Sequence, residues 1–218
     1  MSVWALLVAA GAGERLGEER PKAFVRLGEL PLLAESLRRL EESDWIDAIV
    51  IAVPADWEEP AILLAEELGC GKVSSCVTGG ATRAESVRLA LAEVPDDAAV
   101  VLVHDAARPL VTEEVVGRVL EPLGEGWDGA VPGLPLADTV KRVRDGAVVE
   151  TVARDDLVAV QTPQAFVTSM LRSASTGEAS DCAALVERAG GRVKVVPGDP
   201  RLLKVTEPSD LELVESWL

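Results

Sequence analysis

Apolar residues along the chain follow two spacings, one typical of buried strands and one typical of amphipathic helices. A continuous apolar run at 3–8 and mostly apolar segments at 46–53 and 98–104 predict strands buried on both faces, and the segment at 73–77 predicts a shorter strand. Apolar residues at helical spacing predict helices between these strands and at the end of the chain, around 33–40, 62–68, 87–94, 115–120 and 211–217.

This alternation of strands and helices predicts an α/β fold, with a single Rossmann-like domain over residues 1–218. The expected sheet is twisted and mostly parallel, with helices on both faces. A chain of 218 residues is long enough for one well-buried domain of this kind and short for two. Because ligands of such sheets bind beyond the carboxyl ends of the strands, we expect function in the loops after Val8, Val77 and Val103.

Residues 137–156 interrupt the alternation. Two extended stretches flank Asp145-Gly146, a dipeptide typical of hairpin turns. The hairpin is polar over much of its length and cannot bury itself alone. It either projects as an arm that packs on a partner subunit or forms an ordinary edge hairpin on the same sheet.

Charge and composition exclude several classes of function. The formal net charge is −16, which disfavours binding to nucleic acids and to anionic membrane surfaces. The chain contains neither a signal peptide pattern nor an apolar stretch long enough to span a bilayer. The three cysteines are odd in number and lack metal-ligand spacing, so we expect free thiols in a reducing cytoplasm.

Candidate chemistry begins in the loop after the first predicted strand. Its small residues let a polyanion approach the backbone N–H groups, and two cations follow in the same loop. These residues are Ala9, Ala10, Gly11, Gly13, Arg15 and Lys22. Leu16 stands where a dinucleotide fingerprint needs its third glycine, and a Walker A ending is absent. The alternative is a mobile glycine-rich surface loop, which the two cations disfavour.

Two further loops supply polar groups. Gly79 and Gly80 offer an exposed backbone edge for a pyrimidine base, and Ser86 can hydrogen-bond the base or ribose; the alternative is a turn before a helix with Arg83 solvated. In the third loop, Asp105 can accept ribose or polyol hydroxyls or hold water around Mg²⁺. Arg108 can hold a phosphate, and His104 is expected to make a structural hydrogen bond in preference to acting as a base.

Later candidates are single residues. Lys204 is a cation within an apolar, strand-like segment, so it is either aimed into a site or an edge-strand lysine. Other polar residues are weak indications when each is taken alone: Asp138, Thr139, Lys141, Arg154, Thr162, Ser180 and Asp181.

Taken together, these segments resemble the 2-C-methyl-D-erythritol 4-phosphate cytidylyltransferases of the non-mevalonate isoprenoid pathway. The resemblance spans nearly the whole chain in order: AAGAGERLG…PK, TGGATRAESV, VHDAARP, ADTVKR, TPQAF and LKVTEPSDL. It implies catalytic roles for Arg15, Lys22, Arg154 and Lys204, nucleotide binding by Ala9, Ala10, Gly11, Gly13, Gly80, Ser86 and Asp105, and substrate binding by Asp105, Arg108, Thr139, Arg154, Thr162 and Ser180.

The resemblance also implies the reaction and its partners. CMP would pass from CTP to the polyol phosphate by in-line attack, with Mg²⁺ held mainly by the CTP phosphates and not directly by the protein. The arm at 137–156 would exchange between the subunits of a homodimer, which brings Arg154 to the neighbour's site. Departures from the family pattern are Val8, Ala81 in place of a frequent acidic residue, a shortened stretch before Ser180, and Cys182.

Rival functions remain open at this point. A ribitol 5-phosphate cytidylyltransferase would share the nucleotide loops and differ around the acceptor, and other sugar nucleotidyltransferases would share the glycine loop. A non-catalytic CTP-binding module belongs to a different class, which the combination of Arg15, Lys22 and Lys204 disfavours. A nicotinamide oxidoreductase is disfavoured by Leu16.

Overall fold

The apolar runs of the amino-terminal half form the centre of one mixed sheet. The computed structural model describes residues 2–11, 13, 16, 20–175 and 181–218. Its strands are β1 (Val3–Val8), β2 (Arg26–Leu27), β3 (Leu30–Pro31), β4 (Ala48–Val53), β5 (Val73–Thr78), β6 (Val100–Asp105), β7 (Gly129–Pro135), β8 (Val140–Arg144), β9 (Ala147–Val152), β10 (Val158–Val160), β11 (Gln164–Val167) and β12 (Val193–Pro197).

The main sheet has the strand order β10-β7-β11-β6-β1-β4-β5, and β12 pairs with β7. The pairs β6–β1, β1–β4, β4–β5 and β7–β12 are parallel, whereas β11 and β10 run antiparallel to their neighbours. The parallel half therefore directs the carboxyl ends of β1, β4, β5 and β6 towards one edge of the sheet.

Helices cover both faces of this sheet, as the sequence predicts. The helices are α1 (Leu32–Glu42), α2 (Glu58–Glu67), α3 (Arg83–Ala92), α4 (Glu113–Gly124), α5 (Thr168–Ala174), α6 (Cys182–Arg188) and α7 (Pro208–Glu215), and a 3₁₀ turn spans Lys22–Phe24. Apolar residues of α1, α2 and α4 pack on one face, and those of α3, α5 and α6 pack on the other. Strand β4 is buried on both faces because of this arrangement.

A smaller apolar cluster fixes the segment that contains Lys204. Leu110, Val205 and Val214 are buried against Leu27 and Leu32. The amide of Val205 also donates to the carbonyl of Ala107, at 2.8 Å. Residues 202–206 have no regular secondary structure, so the expectation of a strand around Lys204 is wrong. The apolar residues on either side of Lys204 serve this local cluster and not a sheet.

The predicted hairpin is present and separate from the main sheet. Strands β8 and β9 pair antiparallel in a two-stranded sheet of their own. Asp145 and Gly146 both have positive φ, of 51° and 77°, which is the geometry of a tight hairpin turn. The hairpin is exposed along its length, so the alternative of an edge hairpin on the main sheet is wrong. In the described residues, no helix is both long and apolar enough to cross a membrane.

Candidate functional site

A cleft of about 570 Å³ opens at the carboxyl ends of β1, β5 and β6. It is lined by three groups of residues from separate loops: Val8, Ala9, Ala10, Gly11, Gly13, Lys22 and Ala23; Gly80, Ala81, Thr82, Arg83 and Ser86; and Asp105, Ala106, Ala107, Lys204 and Thr206. The loops after β1, β5 and β6 thus meet at one place, where the sequence analysis expected function. Small residues form much of the wall and leave backbone groups accessible to a ligand.

Gly13 places the first loop directly against Lys22. Its φ is +73°, a conformation that favours glycine, and a Cβ at this position would lie 2.5 Å from the Lys22 Cβ. The backbone at position 13 and Lys22 therefore share one wall of the cleft. Arg15, the other cation predicted for this loop, lies outside the described residues.

Gly79 brings the second loop against the first. A Cβ on Gly79 would collide with the Ala10 Cβ and would lie 2.9 Å from the Ser86 Oγ. The buried Ser86 hydroxyl accepts from the Gly80 amide at 3.1 Å and is 3.0 Å from the Thr82 carbonyl. Ser86 lines the cleft and also fixes the backbone around Gly80. Its predicted contact with a base or ribose remains a prediction.

Asp105 lies between two cations. Its Oδ1 accepts from Arg83 Nε at 2.8 Å, and its Oδ2 accepts from Lys204 Nζ at 2.8 Å. Burial opposes ionisation of this carboxyl, but Arg83 and Lys204 more than offset that effect, so the pKa of Asp105 lies well below its ordinary range. The carboxylate is therefore ionised throughout the neutral pH range.

Arg83 is a cleft residue to which the sequence analysis gave no role, and the alternative in which its side chain is solvated is wrong. Only 23% of the side chain is exposed, because the guanidinium packs against Asp105 and Cys182 in the wall of the cleft. Burial lowers the pKa of Arg83, but Asp105 and Cys182 together raise it by more, so the guanidinium stays charged. The sequence did contain one indication of a role for Arg83: an arginine in the first turn of a helix opposes the helix dipole, so it needs another reason to be there.

His104 makes structural hydrogen bonds, as the sequence analysis expects. Its Nδ1 lies 3.1 Å from the Thr162 hydroxyl, which also accepts from the Asp105 amide at 3.1 Å. The Arg108 carbonyl, 3.0 Å from Nε2, can only accept, so Nε2 carries the proton of the neutral ring and Nδ1 accepts from the Thr162 hydroxyl. Burial lowers the pKa of His104 to about 4, so the ring is neutral near pH 7.

Thr162 and Arg108 lie beside the cleft and are not among the residues that line it. Thr162 is buried against the backbone of Asp105. Arg108 donates from Nη1 to the Leu202 carbonyl at 2.6 Å, which ties the loop after β6 to the segment that contains Lys204. The geometry gives both residues a supporting position; their predicted contacts with the substrate remain predictions.

The remaining predicted substrate residues lie elsewhere. Thr139 and Arg154 are exposed at the base of the hairpin and do not line the cleft of their own chain. Arg154 donates to the carbonyl of Ala137. Ser180 lies outside the described residues. A single chain therefore does not bring Thr139 or Arg154 to Asp105 and Lys204.

Asp105 is the one carboxylate among the described residues that line the cleft. Among the residues that the structure describes, no group of three or more His, Cys, Asp or Glu side chains could hold a metal ion. Asp105, which the sequence suggested as a support for Mg²⁺, is engaged by two cations.

Comparison with known proteins agrees with this geometry. The family model described as 2-C-methyl-D-erythritol 4-phosphate cytidylyltransferase (IspD) matches residues 3–218. The chain is 48% identical to the cytidylyltransferase of that name from Saccharopolyspora erythraea, with 100% of both chains covered, and 46% identical to that from Nocardia farcinica, with 100% of this chain and 94% of the relative covered.

A solved structure has the same fold as this chain. The crystal structure of 2-C-methyl-D-erythritol 4-phosphate cytidylyltransferase from Thermus thermophilus superposes with a TM-score of 0.80 at 34% identity, covering 100% of this chain and 98% of that one. Sequence and structure thus agree over the full length. The chain belongs to the 2-C-methyl-D-erythritol 4-phosphate cytidylyltransferase family and is an enzyme of the cytidylyltransferase class.

Proposed function

We propose that the cleft transfers CMP from CTP to 2-C-methyl-D-erythritol 4-phosphate and releases pyrophosphate. One observation supports this most directly: Lys22, Lys204 and the small-residue loop that contains Gly13 line the same cleft. Two polyanions must meet in the reaction, and a cleft lined by cations and by small residues that leave backbone amides accessible offsets their repulsion. The names of the relatives supply the identity of the base and the acceptor.

The proposed chemical step is an in-line displacement at the α-phosphorus of CTP. A phosphate oxygen of the acceptor forms the new P–O bond, and the bond between the α-phosphorus and the bridging oxygen breaks, so that the electron pair leaves with pyrophosphate. The acceptor phosphate is already largely dianionic at neutral pH, since its second pKa is about 6. The step therefore needs no general base.

This mechanism agrees with the position of His104. The imidazole is fully buried, and both ring nitrogens have partners in the protein. With a pKa of about 4 and no face on the cleft, the ring is unsuited to proton transfer with a ligand. The chain contains no other histidine.

Charge stabilisation is assigned to cations of the cleft walls. Lys22, beside the glycine loop, is proposed to contact the triphosphate and to stabilise charge on the departing pyrophosphate, together with Arg15. Lys204 is proposed to hold the acceptor phosphate. Mg²⁺ is proposed to enter on the phosphate oxygens of CTP, where it would neutralise part of their charge; the roles of the lysines do not require a metal held by the protein.

The acceptor site is proposed to be completed by a second subunit. Val143, Val148 and Val149 of the hairpin are 57%, 61% and 52% exposed, which is unusual for branched apolar side chains and fits a surface covered in a dimer. Arg154 and Thr139 lie at the base of this hairpin and would then face the neighbour's Lys204. The three cysteines are free thiols, which fits the proposed cytoplasmic location.

A pyrophosphate-release assay tests the function. We expect turnover with CTP and 2-C-methyl-D-erythritol 4-phosphate in the presence of Mg²⁺, and at least about tenfold lower kcat/KM when GTP replaces CTP, because the narrow edge at Gly80 fits a pyrimidine. Preference for ribitol 5-phosphate would reassign the acceptor. Binding of CTP without turnover on either acceptor would leave the CTP-binding module as the function.

A further inference from the structure

Arg83 is the group of the cleft with the least obvious purpose. It is the first residue of α3, after the N-cap Thr82, whose hydroxyl accepts from the Glu85 amide at 3.1 Å. A positive charge at the amino-terminal end of a helix opposes the helix dipole, so Arg83 does not stabilise α3.

The guanidinium of Arg83 also makes fewer hydrogen bonds than a buried arginine with a purely structural role would be expected to make. Nε donates to Asp105, and Nη1 is 3.8 Å from the Cys182 sulfur, which is a weak acceptor. Nη2 is buried and has no hydrogen-bond partner within the described part of the chain. A buried guanidinium that leaves one nitrogen unpaired is costly, and its one strong contact is with Asp105.

The two cations on Asp105 differ in freedom. The Arg83 side chain is 23% exposed, whereas the Lys204 side chain is 40% exposed, so Lys204 is the more accessible of the two to a ligand. If Lys204 moved to a ligand and Arg83 were absent, a carboxylate that is only 9% exposed would remain without a partner. A buried charge without a partner is strongly unfavourable, so that movement would be opposed.

We propose that Arg83 is a positioning residue: it holds the Asp105 carboxylate in place and so leaves Lys204 able to turn to the acceptor phosphate. This inference rests on the proposed function, since it takes that phosphate as the destination of Lys204. Arg83 acts through Asp105 and does not itself contact the reacting atoms.

The charged and titratable groups around Asp105 determine how its pKa responds to a substitution of Arg83. They are Arg83 from α3, Lys204 from the segment after β12, His104 and Arg108 from β6 and its loop, and Cys182 from α6. Of these, Arg83 and Lys204 lower the pKa of Asp105, and burial raises it. Removal of Arg83 alone therefore raises the pKa of Asp105.

The test compares Arg83→Met and Arg83→Lys with Arg88→Met. Arg88 is a matched control because it lies on the same helix, is 56% exposed and pairs only with Glu85 among the described residues, at 3.3 Å. The Asp105 pKa is followed by carbon NMR of its carboxyl group in the free enzyme, assigned with Asp105→Asn. In parallel, kcat and KM for the acceptor are measured by pyrophosphate release.

We expect Arg83→Met to raise the Asp105 pKa and to lower kcat/KM for the acceptor about 10- to 100-fold. Arg83→Lys should recover part of both, and Arg88→Met should stay within about twofold of wild type. The proposal is overturned if the Asp105 pKa does not move, or if it moves while kcat/KM stays at the level of the control.

Folding and function are separated by the same experiment. If Arg83→Met does not fold, Arg83→Gln takes its place, because its amide can still donate a hydrogen bond to Asp105 while the positive charge is lost. An unchanged Asp105 pKa, or kcat/KM at the level of the Arg88→Met control, in that variant overturns the proposal. If wild type releases no pyrophosphate, the proposed function fails together with this role, and the NMR titration still reports whether Arg83 controls Asp105.

Discussion

The Nζ atom of Lys204 lies 2.8 Å from Oδ2 of Asp105, and the two residues are 99 positions apart in the chain. Asp105 is the last residue of β6, and Lys204 lies in a segment held by the Val205–Ala107 backbone hydrogen bond and by Arg108. In the absence of ligand, each charge compensates the other. If Lys204 holds the acceptor phosphate, as we propose, that phosphate must compete with Asp105 for the ammonium group.

Lys204→Met tests that competition. The variant keeps the apolar stem and removes the ammonium, so we expect kcat/KM for the acceptor to fall about 10- to 100-fold. Asp105 keeps Arg83 as its partner, so the protein should stay folded. Lys194→Met is the control, because Lys194 is a similarly exposed lysine on β12 that pairs with Glu125 at 3.5 Å and does not line the cleft. Equal activity of the two variants would contradict a role for Lys204.

Lys22→Ala tests the proposed role of Lys22 at the triphosphate. Loss of one preorganised cation at the leaving group costs about 3 kcal/mol of barrier, or about a hundredfold in turnover. We expect that loss in kcat under saturating substrates, with an unchanged thermal unfolding midpoint. Arg20→Ala serves as the control, since Arg20 is an exposed cation two residues earlier and is not among the cleft-lining residues. Near wild-type kcat in Lys22→Ala would falsify the assignment.

Gly13→Ala tests whether the glycine loop needs its close approach to Lys22. An alanine at φ +73° is strained, and its Cβ would lie 2.5 Å from the Lys22 Cβ, so one of the two must shift. We expect a loss of about 1–3 kcal/mol in the free energy of unfolding, measured with urea, and reduced kcat.

The control for this variant is Gly124→Ala. Gly124 ends α4 without a positive φ, and an added Cβ meets nothing within 4 Å. We expect that change to be neutral or slightly stabilising, since alanine favours helices more than glycine does. If both variants unfold at the same urea concentration, the contact between position 13 and Lys22 is not the constraint described above.

The pH dependence of stability tests the neutral state of His104. The pKa of His104 is lowered by burial to about 4 in the folded protein and is about 6.5 in the unfolded chain. Between these values the unfolded state binds more protons, so stability falls as the pH drops from about 6.5 towards 4 and is fully present above 6.5. The fall should amount to roughly 2–3 kcal/mol.

Urea denaturation between pH 7 and pH 4.5 measures this effect, with His104→Gln as the comparison. The variant removes the chain's one histidine and should flatten the curve between pH 6.5 and 5. Asp105 does not interfere in this window, because its pKa is lowered, and its contribution is lost only below the ordinary aspartate pKa of about 4. The same slope in both proteins would place the proton uptake elsewhere.

The parallel half of the fold and the position of the cleft could be predicted from the sequence because they depend on local signals. The apolar runs of β1, β4 and β6 are continuous, and their carboxyl ends must meet at one edge of the sheet. The second half of the sheet gave no such signal. Strand β7 is interrupted by Pro132 and Gly133, and β10 has three exposed residues, so neither resembles a buried run.

The electrostatics of the site could be predicted only in part. Spacing identified Lys22 and Asp105 as polar residues beside a small-residue loop, but the pairing of Asp105 with Arg83 and Lys204 depends on long-range packing that no local pattern encodes. Arg83 resembled a solvated helix residue for the same reason. Arg108 matched a phosphate ligand by spacing, and the fold directs its Nη1 to a backbone carbonyl.

The position of Arg154 leads to a prediction about subunits. Arg154 is exposed on the hairpin and does not line the cleft of its own chain, so it can act in catalysis only at another subunit's cleft. If the hairpin exchanges within a dimer, a mixture of Lys22→Ala and Arg154→Ala chains forms some dimers with one intact site: the Arg154→Ala chain supplies its own Lys22, and the Lys22→Ala chain supplies Arg154.

When equal amounts of the two chains associate at random, about half of the dimers contain one chain of each kind, and each such dimer has one intact site out of its two. About a quarter of all sites are then intact, so we expect about a quarter of wild-type turnover from two proteins that are each nearly inactive alone. The two chains are partially denatured, mixed and refolded together, and their pyrophosphate release is compared with that of each variant refolded alone.

The control replaces Arg154→Ala with Arg142→Ala. Arg142 is an exposed hairpin arginine that pairs with Glu150 of its own chain at 2.6 Å and has no proposed role in the site. Each Arg142→Ala chain should be active by itself. Absence of any recovery with Arg154→Ala, in samples where size-exclusion chromatography shows dimers, would place Arg154 outside a shared site.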